Sequence, residues 1–190
     1  MSFDSTTTAG AAGSVDDSDI VQFSPTSLGD NTAGTFSFFF DGSDVGLTTT
    51  SEDIDAMSVS TDGKLVISTL GSFSVTGASG GDEDILIFTA SSFGSTTSGS
   101  WALYFDGSDV GLSDSSSEDI YGVSIDTNGD LYLTTAGTFS VTGVSGDGAD
   151  IFICVPGSLG STTSCTFSMY WDGSVNGFGG EIMDAVEIVR

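Results

Sequence analysis

The chain has 190 residues with 27 Asp and Glu, no His and only two basic side chains, Lys64 and Arg190, which gives a formal net charge of −25. That charge argues against nucleic acid and anionic membrane surfaces as partners, because both are bound through Lys and Arg. No apolar run of about 18 residues is present, so no membrane insertion is expected. Cations are the natural partners, and a carboxylate coat that keeps the surface soluble is the alternative.

The sequence uses one unit three times. The phrase Phe-Asp-Gly-Ser-Asp-Val-Gly-Leu closes the stretches 36–47 and 101–112 and returns in degraded form within 167–178. Its first aspartates, Asp41, Asp106 and Asp172, lie 65 and 66 residues apart. Because no linker separates the units, residues 1–190 are predicted to form a single repeat domain. The repeats cover about 1–47 together with 183–190, about 48–112, and about 113–182.

Short antiparallel strands are predicted along the whole chain, four to each repeat. No helix longer than two turns is expected, because apolar residues do not recur at helical spacing. Asp62-Gly63 and Asn128-Gly129 each lie between two apolar runs, which is a strong signal for a tight hairpin. Phe73 and Phe139 are expected to be loop anchors in long connections. In chain order the predicted strands are 1–4, 19–23, 35–40, 54–60, 65–69, 85–88, 101–105, 120–125, 131–135, 151–155, 166–171 and 183–189.

The two ends of the sequence carry complementary halves of one hairpin. Residues 1–4 correspond to the strand after the Asp-Gly turn, and residues 183–190 correspond to the strand before it. Pairing of these strands would close the array into a ring. The predicted fold is therefore all-β, with three four-stranded antiparallel repeats of about 65 residues in a closed, β-propeller-like ring. The alternatives are a threefold β-prism or β-trefoil-like body, or half of a six-bladed propeller that a homodimer completes.

The repeated phrases Phe-Asp-Gly-Ser-Asp-Val-Gly-Leu, Glu-Asp-Ile-Asp and Ser-Val-Thr-Gly resemble those of uncharacterised secreted bacterial tandem-repeat proteins, over essentially the whole chain. The resemblance implies a β-propeller-like fold, a secreted location and no established activity. The third repeat departs from the pattern at Val175 and Asn176, where the second aspartate of the corner is lost.

Recurrent acidic residues at predicted strand ends suggest calcium as a cofactor. Paired carboxylates and loop carbonyls can supply the oxygen ligands that Ca²⁺ takes. Capping of turns by Asp explains the same pattern without a metal, and the fragment 126–130 is not a complete EF-hand loop. The candidate metal ligands are Asp41, Asp44, Asp53, Asp84, Asp106, Asp109, Asp119 and Asp150.

The two cysteines, Cys154 and Cys165, lie on two predicted strands joined by one loop, and they occur in the third repeat only. A disulfide between them predicts an oxidising environment and hence an extracellular or cell-surface location. Two buried free thiols are the alternative. A catalytic thiol is not expected, because no His is present to activate it.

The sequence predicts no enzyme. With no His and one Lys, catalytic pairs would have to be carboxylates, so a glycosidase is the remaining catalytic alternative. The leading prediction is a non-enzymatic structural or adhesive module, stabilised by calcium. A lectin-like module is second, because aromatic rings offer stacking faces for a glycan, although aromatic residues in strands also build cores. These residues are Trp101, Tyr104, Tyr121, Tyr132 and Trp171, and both tryptophans are expected to be buried.

Overall fold

A computed structural model describes residues 1–113 and 115–188. The protein is all-β as predicted: within that part of the chain the only helical segments are 3-10 turns at Gly10–Ala12, Ser43–Val45, Thr50–Glu52 and Ser108–Val110. The strands are, in chain order, β1 Thr7–Thr8, β2 Ser14–Val15, β3 Ile20–Ser27, β4 Ala33–Phe40, β5 Ile54–Val59, β6 Leu65–Thr69, β7 Phe73–Val75, β8 Ala78–Gly80, β9 Ile85–Ser92, β10 Ser98–Phe105, β11 Ile120–Ile125, β12 Leu131–Thr135, β13 Phe139–Val141, β14 Val144–Gly146, β15 Ile151–Ser158 and β16 Ser164–Trp171.

Two four-stranded antiparallel sheets form the larger part of the molecule. Their strand orders are β5-β6-β9-β10 and β11-β12-β15-β16, so β5 and β11 are equivalent edge strands. These two strands pack against each other. The predicted antiparallel all-β structure is therefore confirmed, and the two sheets meet through β5 and β11.

The predicted hairpin turns are confirmed. Gly63 has a φ of +80° between β5 and β6, and Gly129 has a φ of +88° between β11 and β12. Glycine takes this left-handed conformation without the steric cost that a side chain brings. The strands that follow, β6 and β12, are buried at every residue, which fits their largely apolar sequence between two covered faces.

The first repeat differs from the other two, because its hairpin β3–β4 is a two-stranded sheet. Met1 lies in the position that β6 takes beside β9: its terminal nitrogen donates to Val21 O at 2.9 Å, and its oxygen accepts the Val21 N–H at 3.0 Å. Strands were predicted at 1–4 and 183–189, but residues 1–4 and 183–188 are not strands, and Val189 lies outside the described residues. Among the described residues, the hairpin between the chain ends is not formed, and no closed barrel or propeller is observed.

The segment 183–188 nevertheless begins in a place equivalent to the starts of β5 and β11. It contacts β11, where Ile188 N donates to Ser124 Oγ at 3.1 Å. Its first residue repeats a backbone hydrogen bond that occurs once in each repeat: Ile54 N to Asp17 O (3.1 Å), Ile120 N to Asp82 O (3.1 Å) and Met183 N to Gly148 O (2.7 Å). The chain therefore takes the same course three times, although the third course lacks a regular ladder.

The connections around Phe73 and Phe139 are small hairpins, β7–β8 and β13–β14, and not the irregular loops that the sequence suggests. Both phenylalanines are buried. The register places Phe73 opposite Gly80, and a Cβ at Gly80 would lie 2.7 Å from the Phe73 ring. Glycine is therefore needed opposite each phenylalanine, which is the sequence signal for these hairpins.

The core is built from contacts between consecutive repeats. Ile20, Phe40 and Leu47 of the first repeat pack against Phe73 of the following hairpin. In the second repeat, Ile85, Phe105 and Leu112 pack in the same way against Phe139. Each repeat therefore covers the apolar face of the repeat before it, and burial of these side chains contributes about 1.5–3 kcal/mol each.

Candidate functional site

The aspartate that begins each Asp-Ile pair holds two loops together. In every repeat one carboxyl oxygen accepts an N–H from the preceding loop, and the other accepts an N–H from the Asp-Gly-Ser corner. We call this arrangement the aspartate clamp. The donors are Asp16 and Gly42 to Asp19 (2.7 and 3.0 Å), Gly81 and Gly107 to Asp84 (2.9 and 2.8 Å), and Asp147 and Gly173 to Asp150 (both 2.9 Å).

The glycine of each corner is required by the clamp. A Cβ at Gly42, Gly107 or Gly173 would lie 2.2 to 2.3 Å from a backbone oxygen, closer than real Cβ atoms come. Burial raises the pKa of Asp84, and the N–H groups of Gly81 and Gly107 oppose that rise. The repeated Asp-Gly-Ser therefore encodes a close approach of two backbone segments around a buried carboxylate.

A threonine joins each of the first two corners to the repeat that follows it. Thr97 N donates to Asp44 Oδ2 at 2.8 Å, and Asp41 N donates to Thr97 Oγ1 at 2.9 Å. The same threonine latch recurs with Thr163, Asp109 Oδ2 (2.8 Å) and Asp106 N (2.9 Å). Neither threonine is among the site residues predicted from the sequence, although the two lie 66 residues apart, as equivalent residues of the repeats do.

Six of the eight predicted metal ligands accept hydrogen bonds in the clamps, in the latches or within their own corners. The carboxylates of Asp84 and Asp150 belong to clamps, and those of Asp44 and Asp109 belong to latches. Asp41 and Asp106 each accept a hydrogen bond from the serine of their own corner. Among residues 1–113 and 115–188, no three acidic or cysteine side chains are grouped so as to hold a metal ion. Calcium binding stays a prediction for these residues.

The other two predicted ligands, Asp53 and Asp119, lie near the contact between β5 and β11. Asp119 faces Asp55, and the charges of Asp82 and Glu83 lie close to it. Asp119 Oδ1 and both carboxyl oxygens of Asp55 are buried and accept no hydrogen bond of normal geometry. We call Asp55, Asp82 and Asp119 the central carboxyl group; the repeat pattern did not single out Asp55 in this role.

Burial dominates the electrostatics of the central carboxyl group. It raises the pKa of Asp119 to about 9, and the charges of Asp55 and Asp82 add to the rise. Burial also raises the pKa of Asp55 to about 7, against the effects of Asp119 and nearby backbone N–H groups. Lys64, the one basic side chain in residues 1–113 and 115–188, pairs at 2.7 Å with Asp62 in an exposed turn. A shared proton therefore replaces a counter-charge between Asp55 and Asp119.

The candidate glycan-binding aromatics are spread over the molecule. Trp101 is buried, as predicted, and its Nε1 donates to Val45 O at 3.0 Å. Tyr132 is also buried, whereas Tyr104 and Tyr121 are half-buried. Trp171, expected to be buried, is only half-buried and lines a cavity of about 670 Å³ together with Ile151, Phe178 and Ile182. Trp171 is therefore the tryptophan that a ligand could reach.

The predicted disulfide is confirmed. Cys154 in β15 and Cys165 in β16 are bonded, with their Cα atoms 5.2 Å apart. No helix in the described part of the chain is long and apolar enough to cross a membrane. Comparisons with protein-family models, with curated proteins and with solved structures found no match.

Proposed function

We propose that this protein is a non-enzymatic structural or adhesive repeat module that acts outside the cell or at its surface. The observation that supports this role most directly is the aspartate clamp, which occurs once in every repeat. A carboxylate whose two oxygens accept backbone N–H groups stabilises a fold and is a poor base or nucleophile. The most regular chemical feature of the chain is thus used to hold each repeat together.

Asp55 and Asp119 are poor candidates for a glycosidase. Retaining glycosidases hold two carboxyl groups about 5 to 5.5 Å apart on either side of a sugar. Asp119 is 3% exposed and faces Asp55 directly, so no room for a sugar lies between them. We expect no hydrolysis of a panel of nitrophenyl glycosides, and turnover that Asp119→Asn abolishes would contradict the non-enzymatic role.

The disulfide supports the location. A cross-link between Cys154 and Cys165 persists in oxidising compartments and is reduced in the cytosol. In a culture of the native cells, the protein should be found in the medium, or protease added to intact cells should digest it. Its cysteines should resist alkylation until the disulfide is reduced. A reduced, protease-protected protein would overturn the extracellular placement without touching the non-enzymatic role.

For the architecture we infer a β-propeller-like arrangement of the repeats. The support is the path that the chain takes three times, with β5, β11 and the segment 183–188 in equivalent places. The two sheets and the β3–β4 hairpin would then be the blades, and closure needs a contact between the first and third repeats.

Glycan binding is the second candidate function, and Trp171 is the observation that favours it. Its half-buried ring beside Phe178 offers an apolar face next to the carboxylate of Glu181, in one cavity. In a Trp101→Phe variant, which leaves Trp171 as the single tryptophan, a bound glycan should quench the fluorescence. Unchanged fluorescence across a glycan panel would remove this candidate.

A further inference from the structure

The apolar face of the third repeat is uncovered, whereas the same face is covered in the first two. Leu47 and Leu112 are fully buried by the following repeat, but their equivalent, Phe178, is 52% exposed. Val175, where the corners have Asp44 and Asp109, is 80% exposed. Trp171, Phe178 and Ile182 line the cavity of about 670 Å³. We call these three residues, together with the exposed Tyr170 and Val175, the tail face.

The tail face has also lost the acidic residues of the other repeats. In a chain with 27 acidic residues, four equivalent positions change to uncharged ones near this cavity. Removal of charge from the middle of an apolar patch is typical of a surface that another protein covers. The four changes, relative to the second repeat, are Asp109 to Val175, Asp82 to Gly148, Glu83 to Ala149 and Asp119 to Ile182.

The first repeat carries the opposite half of the same contact. Between the repeats, Gly94 N donates to Phe39 O (2.9 Å) while Phe93 stacks on Phe39, with ring centroids 4.7 Å apart. The equivalent of Phe93 in the first repeat is Leu28, which is 75% exposed. We call the loop 28–32 and the neighbouring hairpin β1–β2 the head face.

The head face already has the conformation that the contact needs. Gly29 has a φ of +94°, close to that of Gly94 (+107°) and Gly160 (+95°). Thr32 Oγ1 donates to Gly29 O at 2.7 Å, the same bond that Thr97 and Thr163 make within their latches. In the single chain, the loop 28–32 therefore already has the backbone geometry of the loops that carry the latch threonines.

The two faces also match in size. The register places Thr7 of β1 where the other hairpins have Phe73 and Phe139, so the head face is smaller there. On the tail face, Trp171 and Phe178 stand where the second repeat has Phe105 and Leu112, so that face is larger. Large residues on one surface thus oppose small residues on the other, as packing to normal density requires.

We propose that the head face of one copy of this chain docks on the tail face of a second copy and continues the repeat array from one molecule to the next. Gly29 N would donate to Tyr170 O, Asp172 N would donate to Thr32 Oγ1, and Leu28 would cover Tyr170. Within one chain the two faces stay apart, since Leu28 and Phe178 are both exposed. Such a head-to-tail contact forms either a closed ring of copies or a filament.

Mixing of two blocked variants tests this contact. Association is measured by sedimentation velocity in about 0.5 M NaCl, because salt at this concentration screens the repulsion between the acidic chains. The wild-type protein should associate with rising concentration up to about 0.5 mM, a range that covers weak protein contacts. Leu28→Glu blocks the head face and Phe178→Glu blocks the tail face, so each variant alone should weaken self-association at least about tenfold.

An equimolar mixture of the two variants distinguishes a head-to-tail contact from other kinds of association. One intact head and one intact tail remain, so the mixture should form a dimer that grows no further. Leu70→Ser, a change of an exposed residue outside both faces, should associate like the wild type. Circular dichroism and the fluorescence of buried Trp101 report that each variant is folded.

A wild-type protein that stays monomeric at the highest concentration, or a mixture that yields no dimer, would overturn the proposed contact. Association that both variants leave unchanged would overturn it as well. The structural role proposed above does not depend on this result, because a monomer would still be held by its clamps.

Discussion

The aspartate clamps and the central carboxyl group contain the same side chain at nearly the same burial, with opposite surroundings. Asp84 is 6% exposed, and its two oxygens accept the N–H groups of Gly81 and Gly107. Asp119 is 3% exposed and faces Asp55 and the charge of Asp82. Burial alone therefore does not decide whether a carboxylate stabilises this fold. The hydrogen-bond donors around a buried carboxylate decide whether it stabilises the fold.

The largest expected effect comes from replacing Asp84 with Asn. The amide keeps the shape of the carboxyl but replaces one acceptor with a donor that faces an N–H group. We expect Asp84→Asn to lower the free energy of unfolding by about 2–3 kcal/mol. Urea unfolding at neutral pH measures this loss. A change below about 0.5 kcal/mol, the size of an ordinary surface substitution, would mean that the clamp contributes little.

The same substitution at Asp119 should act in the opposite direction. The new amide would be neutral and could donate its N–H to Asp55, so the cost of a buried charge beside another carboxyl disappears. We expect Asp119→Asn to raise the free energy of unfolding by about 1–2 kcal/mol at pH 8. Loss of stability at pH 8 would show that the Asp119 carboxylate has a favourable partner, and the contrast with Asp84 would fail.

The central carboxyl group should also make the stability of the protein depend on pH. A carboxyl whose pKa is raised on folding binds its proton more tightly in the folded state, so its contribution is complete below its unfolded pKa of about 4 and is lost as pH rises through the folded value. With folded pKa values of about 7 for Asp55 and about 9 for Asp119, stability should fall between about pH 4 and pH 9. Urea midpoints across this range should show that fall in the wild type.

Asp119→Asn is the matched control for the pH profile. The variant removes Asp119, which has the highest pKa of the group and is also the neighbour that faces Asp55. The fall in the free energy of unfolding above pH 6 should therefore shrink by more than half. Glu52 acts in the other direction, because its N–H partners lower its pKa although burial raises it, and stability should also drop below about pH 4. An optimum at pH 8 in the wild type would contradict the central carboxyl group as described.

The sequence predicts the periodic features of this structure well, for a physical reason. The hairpins at Gly63 and Gly129 depend on residues next to each other in the chain, and so does the disulfide across one loop. The repeat interval identifies equivalent residues but not which of them touch. The contact of Asp55 with Asp119 and the bond from Thr97 to Asp44 join residues of different repeats. Those contacts depend on how the repeats pack, which a local pattern does not contain.

The smallest expected effect concerns calcium, and it also tests where the ion acts. The oxygens of the clamps already accept N–H groups at normal distances, whereas Asp119 Oδ1 and both carboxyl oxygens of Asp55 accept no hydrogen bond of normal geometry. A divalent ion that binds only the folded protein with a dissociation constant of about 1 mM would add about 1.4 kcal/mol at about 10 mM. The midpoint temperature of thermal unfolding should therefore be higher in calcium chloride than in sodium chloride of equal ionic strength. A chelator should abolish the difference. Equal shifts with sodium would show general screening of a highly charged surface. If the stabilisation by calcium persists in Asp119→Asn, the ion binds away from the central carboxyl group, because that variant lacks one of the two carboxylates that face each other there.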